Sequence, residues 1–365
     1  MTITGRIVTP MGVVEARVTV EGGRIAAVRR GRADDQWILP GFVDIHNHGG
    51  GGYTFTTGDA SQARGAAGFH LAHGTTTMLA SLVSSPFEVM RDAVLAFQPL
   101  IAEGVIAGIH FEGPYLSQAR CGAQNPSHLR DPDLGELAEL LKLAAESLRM
   151  VTIAPERPGA LEAIAMLREH GVVVALGHTD GTFEQVRAGI QVSSAAGATT
   201  VATHLFNGMR PMLHREPGPI VALLGSPSVV CELVADGVHL HDATLEFAAR
   251  TAGPERVALI TDAMAAAGMP DGEYDLGGLK VVVSERAARL KESGSIAGST
   301  LTMDAALRQA VGAGLPIVEA ALMAATTPAR VLGLDKRIAV GCDADLVVLD
   351  GGLRVTQVMR AGQWH

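Results

Sequence analysis

The chain has 365 residues, 47% of them hydrophobic and 18% charged, with a formal net charge of −9. That length can bury a large core, and it suits one barrel-sized domain with a small satellite as well as two ordinary domains. An acidic balance without a basic stripe argues against nucleic acid or an anionic membrane surface as partner, while leaving room for one local anion pocket.

The opening stretch, Met1–Pro10, lacks a basic segment followed by an apolar one, so no signal peptide is expected, and no apolar run approaches a membrane span. Short strands follow at Gly5–Val8, Val13–Val20 and Ile25–Arg29, with the Glu21-Gly22-Gly23 turn between the last two. Beyond residue 40 the texture changes to apolar runs alternating with helix-forming stretches. The runs are Phe42–His46, Thr75–Leu79, Ile106–Glu112, Met150–Ala154, Val172–His178, Thr200–His204, Val229–Ala235 and Val257–Asp262. Helical composition fills segments such as Ala60–His73, Phe87–Ile101, Leu134–Ser147, Gly159–His170 and Ala243–Ala252. Residues Tyr274–Ser299 interrupt the alternation with a hairpin-like insert. Strand texture returns at Ala344–Leu349 and Arg354–Ala361, around a Gly351-Gly352 turn.

This pattern predicts an α/β fold: a (β/α)8 TIM-type barrel over residues 41–334, and a small β-sandwich domain assembled from residues 1–40 and 335–365. A doubly wound open sheet is the alternative. The three cysteines, Cys121, Cys231 and Cys342, form no CxxC pair, and their odd count argues against a disulfide framework. A cytoplasmic location is the expectation.

Chemistry-bearing residues gather at the strand ends. Strand one ends in Asp44-Ile45-His46-Asn47-His48, strand three in His110-Phe111-Glu112, strand five in Gly177-His178, strand six in Thr203-His204 and strand eight in Thr261-Asp262. In a barrel these ends share one mouth. Residues i and i+2 of an extended strand point the same way, so His46 and His48 can grip one ion. Glu112 can bind one metal or bridge two, His178 and His204 add neutral nitrogens, and Asp262 is either a further ligand or the proton-transfer group. Singly each signal is weak. A lone strand-end histidine is more often structural, HxH arises by chance, and Glu112 could cap the Gly113-Pro114 turn. Their joint placement is what points to a metal. A divalent ion there would activate water and polarise an amide carbonyl, with Asp262 accepting the water proton and returning it to the leaving amine.

These residues, in this order, resemble the amidohydrolase superfamily, and within it the enzymes that deacetylate N-acetylated amino-sugar phosphates. The resemblance spans essentially the whole chain. It rests on Pro40–Gly49, His110–Leu116, Leu176–Thr179, Thr203–Met209, Arg215–Gly218, Ala235–His239, Thr261–Met264 and Ile296-Ala297-Gly298-Ser299. It implies hydrolysis of the acetamide of N-acetyl-D-glucosamine 6-phosphate, in amino-sugar catabolism or cell-wall recycling. Glu112, His178 and His204 would be the principal metal ligands, His46 and His48 would favour a second ion, and Asp262 would be the general base and acid. Zinc is the first choice of metal, with iron, manganese, cobalt and cadmium as alternatives. His239 would contact the substrate and polarise the scissile amide. Ala123, Gln124, Asn207, Gly208, Arg215 and the Ile296–Ser299 segment would bind the sugar phosphate, with Arg215 lent by the neighbouring subunit of a homodimer.

Two departures stand out. Many relatives carry a basic residue at the Cys121 position and histidine at the Gln124 position; here the loop offers a thiol and an amide, read as a mobile lid with Cys121 near the ligand. Gly208 stands where alanine is common, and is expected to loosen its turn and affect little else. Competing readings are an N-acetylgalactosamine 6-phosphate deacetylase, a cyclic-amide hydrolase and a non-catalytic barrel scaffold. The absence of lysine from the strand ends speaks against the second, and the filled ligand positions against the third.

Overall fold

The computed structural model describes residues 1–32 and 34–365. Eight strands form one sheet in chain order: β1 (Phe42–Asp44), β2 (Thr75–Leu82), β3 (Gly108–Glu112), β4 (Leu148–Ile153), β5 (Val173–Leu176), β6 (Thr200–Ala202), β7 (Val229–Val234) and β8 (Val257–Ile260). All neighbouring pairs are parallel. Helices follow the strands in turn: α1 (Ala60–Ala72), α2 (Phe87–Ala102), α3 (Leu134–Ala144), α4 (Ala160–Glu169), α5 (Phe183–Ser193), α6 (Gly218–Leu224), α7 (Asp242–Ala252) and α8 (Met303–Gly312). This is the expected barrel, and the strands are almost wholly buried because helices cover one face and side chains fill the other.

Local sequence explains the helices. In α2 the buried residues Met90, Ala93, Val94, Phe97 and Leu100 recur at helical spacing. Asp59 and Asp133 cap α1 and α3 by accepting backbone N–H bonds, and Thr182 with Gln185 closes a capping box on α5.

The seam between β8 and β1 is closed by a side chain. The buried Asp44 carboxylate accepts from Thr261 N at 3.2 Å and Thr261 Oγ1 at 2.6 Å, while Asp262 N donates to His46 O at 2.9 Å. One aspartate thus ties together the two strand ends that carry His46, His48 and Asp262.

The terminal segments form one seven-stranded sheet. Thr2–Thr9, Gly12–Glu21, Arg24–Arg30 and Trp37–Pro40 come from the N-terminal side, and Leu346–Leu349, Val355–Arg360 and Gln363–Trp364 from the C-terminal side. Trp37–Pro40 joins the two groups, pairing in parallel with the first strand (Ile7 opposite Ile38) and antiparallel with Leu346–Leu349 (Leu39 opposite Val347). The sheet curls until its Gly22-Gly23 turn meets the other end, where Ala344 N donates to Gly23 O and Ile25 N to Cys342 O, both at 2.9 Å. The expected sandwich is therefore a single sheet closed over its own core, which includes Ile7, Val18, Ile25, Ile38, Leu346 and Met359. The insert is a three-stranded antiparallel sheet, Gly272–Leu276, Leu279–Ser284 and Ala287–Leu290. Among the described residues, no helix is long and apolar enough to cross a membrane.

Candidate active site

The barrel mouth brings the scattered strand-end residues together. Glu112 Oε1 lies 3.0 Å from His178 Nε2 and 2.9 Å from His204 Nε2, and those two nitrogens are 3.1 Å apart. Its other oxygen lies 3.3 Å from His48 Nε2, which is 3.1 Å from His46 Nε2. Two overlapping groups of possible ligands result, His46–His48–Glu112 and Glu112–His178–His204, all buried. Asp262 Oδ1 stands 3.3 Å from His48 and 3.6 Å from His46, while Oδ2 faces His239 Nε2 at 3.8 Å. Three of these residues, His178, His204 and Asp262, have positive φ (45°, 27° and 49°). The left-handed turn at the strand end swings each side chain towards the barrel axis, a conformation disfavoured for a non-glycine residue and held by its surroundings.

The donor set fits a cation. His178 Nδ1 donates to Arg120 O at 2.8 Å and His48 Nδ1 to Ser81 O at 3.1 Å. A carbonyl only accepts, so each ring carries a proton on Nδ1 and, when neutral, turns an Nε2 lone pair inwards. His46 is fixed likewise by Glu232, whose Oε2 accepts from His46 Nδ1 at 3.0 Å and from His204 N at 3.0 Å. Lone pairs 3.1 Å apart repel one another unless positive charge lies between them. Electrostatics agree. Burial alone would depress His48, but the Asp262 and Glu112 carboxylates outweigh it and raise its pKa to about 9. Burial likewise opposes ionisation of Glu112 and Asp262, yet the surrounding imidazoles hold both below the usual carboxylate range.

His110 is a structural histidine. Its ring bridges Ser81 Oγ and Thr152 Oγ1, both at 2.8 Å, and burial together with neighbouring His46 drives its pKa well down. Sequence reasoning missed the supporting groups Glu232 and Ser81. The one available signal was an acidic residue inside the apolar run Val229–Val234.

Above these side chains lies a cavity of about 310 Å³. His239 enters it with Nδ1 donating to Asp236 Oδ2 at 2.7 Å; burial works against the charged ring, but this carboxylate prevails and raises its pKa. Ala123, Gln124, Asn207, Gly208, Ile296 and Gly298 line the walls, joined by Gly122, Leu276 and Ser295, which sequence reasoning did not single out. Gln124 is tied to the centre: its amide donates to Glu112 Oε2 at 2.6 Å and accepts from Ser84 N at 2.7 Å.

The remaining expected contacts lie elsewhere. Ala297 is buried in the apolar core of the insert, and Ser299 turns its hydroxyl to Thr261 O at 2.6 Å, so both shape the wall without lining it. Cys121 is half-buried, one residue outside the lining segment. Arg215 stands exposed beside His214, outside the cavity. Gly208 does more than loosen a turn. Its φ is +59°, and a Cβ there would fall 2.8 Å from His178 Nδ1, so the missing side chain makes room for the His178 ring.

Residues 37–365 match the Amidohydrolase family. An N-acetylglucosamine-6-phosphate deacetylase of Lysinibacillus sphaericus is 37% identical over 341 residues, 90% of this chain and 85% of its own. An N-acetylgalactosamine-6-phosphate deacetylase of Escherichia coli O157:H7 is 38% identical over 339 residues, 90% of this chain and 88% of its own. Among solved structures, the N-acetyl-D-glucosamine-6-phosphate deacetylase of Mycobacterium smegmatis, an aspartate-to-alanine variant in complex with N-acetyl-D-glucosamine-6-phosphate, matches at 46% identity. That match has a TM-score of 0.95 and covers 100% of this chain and 98% of that one.

Proposed function

The chain belongs to the amidohydrolase family, and from that premise we propose that it hydrolyses the acetamide of N-acetyl-D-glucosamine 6-phosphate to D-glucosamine 6-phosphate and acetate, a step of amino-sugar catabolism. The observation that carries this reading is the pairing of Asp262 with His239 over a buried nest of imidazole nitrogens and one glutamate, inside a cavity of sugar size.

A divalent ion held by Glu112, His178 and His204, with His46 and His48 as ligands to a second, would activate water and polarise the acetyl carbonyl. Nitrogen and oxygen donors with buried supporting acceptors suit zinc best among the candidate metals. Asp262 is a charged carboxylate at neutral pH, so it first takes a proton from water and then delivers it to the amine nitrogen as the C–N bond breaks. His239, held by Asp236 and favoured in its charged form, turns Nε2–H towards the acetyl oxygen. The Asn207-Gly208 backbone and the Gln124 loop take the sugar phosphate. Arg215 reaches it from a neighbouring subunit; the exposed Met212 and Leu213 beside it support such a homodimer. A cytoplasmic setting and a division into residues 41–334 and a terminal β domain complete the reading.

Acetate release from the 6-phosphates of N-acetylglucosamine, N-acetylgalactosamine and N-acetylmannosamine, with unphosphorylated controls, tests the assignment. The glucosamine ester should turn over fastest. Faster release from the galactosamine ester would transfer the chain to the second reading, which the Escherichia coli relative supports equally by identity. Asp262→Asn should keep substrate affinity and lose about 10²–10⁴-fold in kcat; substantial retained turnover would remove Asp262 from its role.

A further inference from the structure

A second cavity, of about 330 Å³, lies on the barrel face opposite the mouth, between the N-terminal ends of β2 to β4 and the terminal sheet. Three cations line it: Arg149 at the start of β4, Lys336 after the last helix, and Arg360 at the end of the strand Val355–Arg360. Its two acids are already engaged. Asp345 is paired with Lys336 Nζ at 2.6 Å and accepts Ala361 N at 2.7 Å, and Asp343 stands 3.4 Å from Lys336 and 3.5 Å from Arg24.

The two guanidinium groups are left with charge to spare. Arg149 Nη2 donates only to a neutral acceptor, Leu332 O at 2.6 Å. Arg360 is half-buried, its pKa pushed down by burial, and the one carboxylate acting on it is Asp345, already held by Lys336. A guanidinium drawn from water without an anion is unfavourable, and its N–H fork matches phosphate oxygens. The lining also has an apolar wall, with Ile101, Ile106 and Leu332. Inorganic phosphate would leave that wall and most of the volume unused.

We propose that this cavity is a second binding site, separate from the catalytic mouth, for a small organic phosphate monoester. Arg149 and Arg360 grip the phosphate and the apolar wall covers the carbon skeleton. None of these residues approaches the catalytic cluster, so binding here and turnover there can be altered independently.

Calorimetric titration of the intact protein with fructose 6-phosphate, and in parallel with inorganic phosphate, tests this. Arg360→Gln should bind one fewer equivalent of the ester, or bind it at least about tenfold more weakly, while acetate release from the acetylated substrate is unchanged. Because Arg360 makes no side-chain hydrogen bond among the described residues and its one carboxylate neighbour, Asp345, is held by Lys336, the variant should melt no lower than the parent without ligand, and should lose the rise in Tm that the ester gives the parent. Arg149→Gln provides an independent second variant. Identical isotherms for parent and both variants would overturn the proposal, as would inorganic phosphate binding as tightly as the ester.

Discussion

At the scale of single residues, the centre depends on groups that never touch substrate. Glu232 is completely buried, holds His46 Nδ1 and the His204 backbone with one oxygen, and leaves the other without a hydrogen bond. A buried carboxylate so placed is unfavourable unless positive charge lies nearby, and a cation held beyond His46 would supply it. Glu232→Gln should therefore weaken metal retention by about 10–100-fold. Metal per chain after dialysis against a chelator measures this, and unchanged content would show that the tautomer of His46 is set by something else. Gly208→Ala acts on the other group of ligands. Its Cβ would press on His178 Nδ1 in a left-handed backbone, so the variant should lose metal more readily and about 1 kcal/mol of stability. Thermal unfolding with and without chelator checks both, and a variant indistinguishable from the parent would mean that the His178 ring has room to shift.

At the scale of elements, α1 carries a built-in acid sensitivity. His70, in its last turn, is fully buried, and its Nε2 donates to Gly49 O at 2.9 Å. Burial, with some repulsion from His73, lowers its pKa from 6.5 to about 4. Above pH 6.5 both folded and unfolded chains hold it neutral, and its contribution is fully present. Between pH 6.5 and about 4 only the unfolded chain takes up the proton, so stability falls by about 3 kcal/mol across that window. Urea unfolding at pH 7 and pH 4.5 should show a smaller acid loss for His70→Gln than for the parent, and equal losses would exclude His70 as the origin. The elements also show what could be read in advance. The eight barrel strands stood out because burial on both faces leaves an unbroken apolar run, and the strand ends stood out because chemistry-bearing side chains sit beside glycine or threonine there. Trp37–Pro40 escaped notice because four residues ending in proline carry no alternation of their own; it becomes a strand through partners on both sides. Glu232 escaped for a similar reason, since its purpose lies in atoms supplied by β1 and β6. Asp44 was visible as part of a motif, but its task at the seam depends on Thr261, 217 residues away.

At the scale of the whole molecule, the cavity is lined by one chain while its expected phosphate ligand Arg215 stands outside. If each site borrows Arg215 from its neighbour, mixing two inactive proteins should restore activity. Subunits carrying Asp262→Asn and subunits carrying Arg215→Ala, refolded together, should regain a measurable fraction of parental turnover because some dimers contain one intact site. A mixture no better than its components would place Arg215 elsewhere in the cycle. The terminal sheet has a different consequence, in time rather than space. During synthesis the strand Trp37–Pro40 emerges with one edge satisfied by the earlier strand Thr2–Thr9 and the other bare, and its second neighbour is made some three hundred residues later. While those residues are being made the nascent chain therefore exposes an adhesive ribbon edge, the kind that recruits chaperones or aggregates, and arrival of residues 346–349 is what silences it.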